Sequence, residues 1–94
     1  MKDTTSKPKI IITGSAGFIG FHLAVLMLEK GWNVTGVDAL TDYYDVNLKK
    51  HRHGILKKNT SFKEVIGNLE DSDFVNSLFV REQADVVVHL AAQA

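Results

Sequence analysis

At 94 residues the chain has room for about one small domain, and with no cysteine it excludes disulfides and thiolate metal sites. Eleven basic residues balance eleven acidic ones, so nothing in the net charge calls for nucleic acid or an anionic membrane as a partner, and neither is expected. The 45% hydrophobic content is that of a soluble globular protein, and the missing cysteine fits a cytoplasmic location.

Residues 1–8, MKDTTSKP, are polar and end in proline, so they are expected to form a flexible terminus. KIIIT (9–13) is a short β-branched run, the pattern of a strand buried on both faces. FIGFHLAVLMLEKG (18–31) reads as a helix closed by Gly31, so apolar that most of its sides are expected to be covered. The uncharged stretch from Ile10 to Leu28, behind Lys7 and Lys9, imitates a signal peptide or a membrane span. Thr13, Ser15, His22 and three glycines inside it argue against both.

WNVTGVDA (32–39) reads as a second strand, and TDYYDVNLKKHRHGILKK (41–58) as a turn followed by a basic helix. SFKEVIGNL (61–69) alternates as a third strand. DSDFVNSLFVREQ (71–83) is an amphipathic helix with an acidic start, its buried face expected at Phe74, Leu78 and Phe79. DVVVHLAA (85–92) is a fourth strand, apolar on both faces. Strands alternating with helices imply right-handed crossovers and a parallel α/β sheet.

Between the first strand and the first helix stand Gly14, Gly17 and Gly20, three apart. A strand that turns directly into a helix needs backbone angles that Gly14 reaches at little steric cost. A phosphate resting on the helix N-terminus meets free N–H groups and the positive end of the dipole, and a side chain at Gly17 would obstruct its approach. Gly20 falls in the first helical turn, where a missing side chain lets helix and strand pack closely. Ser15 could add a hydroxyl to the phosphate. The spacing is one residue longer than the common G-x-G-x-x-G fingerprint, but the context is the expected one. The second strand ends at Asp38, 21 residues beyond Gly17. An acid there can accept both hydrogens of a ribose diol and would repel a 2′-phosphate.

TGSAGFIGFHLA, VDALTDYYDVNLKKHR and VVVHLAAQA together resemble the extended short-chain dehydrogenase/reductase family, most closely nucleotide-sugar epimerases of the UDP-glucuronate 4-epimerase type. The resemblance covers nearly the whole chain after residue 8. It implies a partial Rossmann fold over 9–94, with strand order 3-2-1-4 and flanking helices, as the N-terminal part of an NAD-binding domain. It further implies NAD as cofactor, with Gly14, Ser15, Gly17, Phe18, Ile19 and Gly20 along the dinucleotide and Asp38 on the adenosine ribose. By the same resemblance Asn68 and Leu69 flank the adenine, and Leu90, Ala91 and Ala92 line the side nearer the nicotinamide. Ala39 replaces the usual asparagine and Asn68 the usual aspartate.

The resemblance also implies a nucleotide-sugar substrate and catalysis by a Tyr-x-x-x-Lys pair. Tyr43 and Tyr44 are followed four residues later by Asn47 and Leu48, so no catalytic residue is assigned. The chain is therefore expected to be an inactive first half of the cofactor domain, with an open sheet edge at its fourth strand that invites self-association. The alternative is a dinucleotide sensor or interaction module without chemistry. The basic run Lys49, Lys50, His51, Arg52, His53, Lys57 and Lys58 is read as a solvated helix surface in preference to a phosphate or RNA contact. His51 and His53 are read as surface histidines rather than metal ligands. His89 is read as a hydrogen-bonded interior or edge histidine.

Overall fold

The computed structural model describes residues 7–39 and 46–90. In chain order they form β1 (Lys9–Thr13), α1 (Phe18–Glu29), β2 (Asn33–Asp38), α2 (Val46–Leu56), β3 (Phe62–Ile66), α3 (Ser72–Glu82) and β4 (Val86–His89). The four strands make one parallel sheet in the order β3-β2-β1-β4, the expected one. Gly31, at a φ of 88°, turns the chain back after α1, and Asp71 caps α3 by accepting from the amides of Asp73 and Phe74.

Because successive side chains of a strand point to opposite faces, the isoleucine run of β1 serves two cores. Ile10 and Ile12 pack with Ala24 of α1, Val34, Leu56 of α2 and Phe62. Ile11 faces the other way, with Val37 and Leu78 of α3. One β-branched segment thus nails helices to both sides of the sheet, and burial of about 1.5–3 kcal/mol per such side chain is the main force holding the layers together.

Three features differ from expectation. The strands are shorter, because pairing ends at Asp38, Ile66 and His89. Helix α1 is not covered on most sides: Gly20 and Ala24 are buried, while Phe18 and Ile19 are 66% and 68% exposed. The sheet covers one side of α1 and α2 flanks it, and apolar composition alone does not reveal how many layers lie over a helix. Phe79 is exposed on α3, where Leu78 carries the burial with help from Phe74. At the other edge β4 pairs only with β1 among the described residues, leaving Val86 and Val87 exposed. Among the described residues no helix is long and apolar enough to cross a membrane.

Candidate functional site

In a parallel sheet every strand delivers its C-terminal end to the same edge, and a crevice opens where the strand order reverses. Here that point is the end of β1. Gly14 leaves the strand at a φ of 76°, and its amide donates to the Val37 carbonyl across the sheet (2.7 Å). Gly17 donates back to the Gly14 carbonyl (3.0 Å) and then opens α1 as its N-cap, a position where glycine offers no capping side chain. The amides of Phe18, Ile19 and Gly20 lie in the first turn and so have no acceptor within the helix. They are what the turn presents to a ligand, at the positive end of the helix dipole. The turn itself is close-packed: a β-carbon on Gly17 would lie 3.2 Å from the Gly14 carbonyl oxygen.

Asp38 ends β2 beside this turn and is only 5% exposed. Its Oδ2 accepts from the Ala16 amide (3.1 Å), and its Oδ1 lies 3.4 Å from Lys49 Nζ. The acid thus ties the loop to the sheet. Asn68 follows β3 on the same edge, exposed, with its side-chain oxygen accepting from the Glu70 amide (2.9 Å). Leu69 packs on the Ile11, Val37 and Leu78 cluster. Leu90 follows β4, its amide donating to Thr13. Thr13 Oγ1 also meets His89 Nδ1 at 2.8 Å, the edge-histidine contact expected from the sequence. Ala91, Ala92, Tyr43 and Tyr44 lie outside the described residues.

Two expectations need correction. The Ser15 hydroxyl is not turned toward a phosphate: it is fully buried, 2.7 Å from His53 Nε2. Nor is the basic helix simply solvated. Lys49, Arg52 and His53 face the turn, Lys49 toward Asp38, Arg52 donating to the Ala16 carbonyl (3.0 Å) and His53 holding Ser15. Positions 49, 52 and 53 share one helical face by their three- and four-residue spacing, which was the available signal. Lys50, His51 and Lys58 are exposed. His53 is buried and engaged with Ser15 and Glu64, and no group of three potential metal ligands occurs among the described residues.

Two carboxylates are electrostatically tuned. Burial pushes Glu64 and Glu82 up, but hydrogen bonds from His53 and Lys57 to the first, and from Lys63 and Arg81 to the second, outweigh it and hold both below their ordinary value of 4.5. A carboxyl with a lower pKa folded than unfolded adds stability above pH 4.5 and loses it as the pH falls from there through the lowered folded value. The thermal midpoint is therefore expected to hold from neutral pH down to about pH 4.5 and to drop as the pH falls further, and Glu82→Gln to flatten that slope while costing about 1 kcal/mol at neutral pH. Melting curves across that range check it; an unchanged slope in the variant would mean that Glu82 contributes nothing to the acid sensitivity.

The profile of the GDP-mannose 4,6 dehydratase family matches residues 11–94. The chain is 45% identical over 86 residues to a probable UDP-glucuronate 4-epimerase of Rhizobium meliloti, and 52% identical over 87 residues to the protein CapI of Staphylococcus aureus. Each alignment covers 92% of this chain and 25% of the relative, so the chain spans about a quarter of the length of the curated relatives it matches. The solved UDP-glucuronic acid 4-epimerase of Bacillus cereus, in complex with NAD, superposes with a TM-score of 0.79 at 33% identity, over 92% of this chain and 28% of that one. With the match running from within β1 to the last residue, the chain belongs to the GDP-mannose 4,6 dehydratase family.

Proposed function

We propose that this chain is the NAD-binding portion of a nucleotide-sugar epimerase or dehydratase, gripping the adenosine and pyrophosphate end of the dinucleotide. The observation that carries the reading is the convergence of three amides at the start of α1 with the buried Asp38 carboxylate, at the reversal point of the sheet. The amides of Phe18, Ile19 and Gly20 donate to phosphate oxygens. Asp38 accepts from the ribose hydroxyls and disfavours a 2′-phosphate. Asn68 and Leu69 flank the adenine, and Leu90, with Ala91 and Ala92, lies toward the nicotinamide. The NAD held by the similar B. cereus epimerase supports the assignment. Bound NAD supplies a hydride acceptor for a sugar carbinol. The sugar chemistry is assigned to no residue of this chain, and a nucleotide sugar such as UDP-glucuronate is the substrate class proposed from the relatives.

Calorimetric titration tests the reading. NAD is expected to bind at least about tenfold more tightly than NADP, since a buried carboxylate at the 2′ position costs a phosphate more than one hydrogen bond. Equal affinity, or a preference for NADP, would remove Asp38 from the ribose.

The exposed edge of β4 carries a proposal of its own: parallel strand edges left unpaired recruit other chains. At high concentration the chain is expected to associate through Val86–His89, and Val87→Lys, at a position 46% exposed, to return it to monomer in sedimentation. A wild type that stays monomeric would contradict this.

A further inference from the structure

Behind the outward-facing amides the turn makes an inward contact that the dinucleotide reading leaves unused. Ser15 Oγ lies 2.7 Å from His53 Nε2, and His53 Nδ1 lies 2.8 Å from Glu64 Oε2. His53 is 1% exposed, Glu64 also receives Lys57 Nζ at 3.3 Å, and the Phe62 ring stands edge-on to the imidazole with centroids 5.5 Å apart. The relay links three separate elements: the β1–α1 turn, α2 and β3.

Space has been left for it. A β-carbon on Gly36 would lie 2.6 Å from Ser15 Oγ and 2.7 Å from the Phe62 ring, so the bare backbone of β2 is what admits the hydroxyl. The direction of the relay follows from its chemistry. An ionised carboxylate can only accept, so Nδ1 carries a hydrogen toward Glu64; with the imidazole in its Nδ1–H tautomer, Nε2 accepts from the Ser15 hydroxyl. With its hydroxyl anchored inward, Ser15 cannot swing out, and the backbone from Gly14 to Gly17 is fixed from below as Asp38 fixes it from the side through Ala16.

We infer that His53, oriented by Glu64, is a positioning residue of the dinucleotide turn, acting through Ser15 to hold the α1 amides in place for a pyrophosphate. The inference rests on the proposed function above. It makes the affinity for NAD depend on a side chain that touches no ligand.

Two conservative variants separate the two bonds. His53→Gln carries its terminal amide to about the place of Nε2 and keeps a partner for Ser15. His53→Asn reaches only as far as Nδ1, keeping Glu64 and losing Ser15. Ser15→Ala removes the hydroxyl alone and serves where a His53 variant fails to fold. NAD dissociation constants, thermal midpoints and the amide spectrum of residues 14–20 are measured on the full 94-residue chain. His53→Asn and Ser15→Ala are each expected to weaken NAD about 3- to 10-fold, the double variant no more than either, and His53→Gln to stay within about twofold of wild type. The ring nitrogen shifts of His53 are expected to show the Nδ1–H tautomer. Equal weakening by Gln and Asn, or midpoints lowered with NAD affinity untouched, would reduce His53 to core packing. If the wild type binds no NAD, the dinucleotide reading fails and the free-state spectra decide the positioning role. Turn amides disturbed by Asn but not by Gln uphold it; disturbance by both or by neither overturns it.

Discussion

Gly20→Ala is expected to unfold the chain or leave it barely folded. A β-carbon at this position would stand 2.1 Å from the Gly14 carbonyl oxygen, 2.8 Å from its carbon and 3.0 Å from Ser15 Cα. All three are backbone atoms of the turn, held by the bonds of Gly14 to Val37 and of Ala16 to Asp38, so no rotamer change relieves the clash. Overpacking that side chains can absorb costs about 1–3 kcal/mol, and a clash with pinned backbone belongs at or above the top of that range. That is a large part of the roughly 5–15 kcal/mol by which such a domain is stable, and the thermal midpoint should fall by about 15 °C or more. Gly54→Ala supplies the contrast. Gly54 sits inside α2, and a methyl group there would meet nothing within 4 Å, so alanine should raise stability by about 0.5–1 kcal/mol. Thermal melts of the two variants check both signs. A Gly20→Ala chain melting near wild type would mean that α1 does not pack on the turn as described.

Asp38→Ala is expected to cost NAD binding about 10- to 100-fold, from the loss of charge-assisted bonds to the ribose at about 1.5–3 kcal/mol each. The substitution also removes the acceptor of the Ala16 amide and the partner that faces Lys49, so part of the loss comes through a loosened turn. Asp38→Asn separates these effects, because an amide oxygen can still accept from Ala16 while the negative charge is gone. The expected order of NAD affinity is wild type, then Asn, then Ala, with NADP gaining relative to NAD in the Asn variant. A folded Asp38→Ala chain that binds NAD as the wild type does would overturn the ribose assignment.

Much of this site was legible because its signals are local. Three glycines after a β-branched run and an acid at the end of the next strand lie in short windows, and the turn that joins them is made by the same residues. The isoleucine run of β1 read as buried on both faces because it is. Side chains that reach the turn from elsewhere were harder to see. Lys49, Arg52 and His53 sit in a dense basic run whose composition says solvent, and their common face was visible only in their spacing. His53 gave no separate sign that Ser15 and Glu64, 38 and 11 residues away, would enclose it. The open side of α1 and the exposure of Phe79 were missed for a related reason: periodicity tells which side of a helix is apolar, not what lies over it.

Whether the glycine turn and Asp38 form a dinucleotide site is decided by titrating the isotope-labelled chain with NAD and following its backbone amides. Shifts concentrated at Phe18, Ile19, Gly20 and Asp38, saturating with NAD and smaller with NADP at equal concentration, are the predicted result. A well-dispersed spectrum in which those amides stay fixed, or move no more than the exposed face of α3, would contradict it.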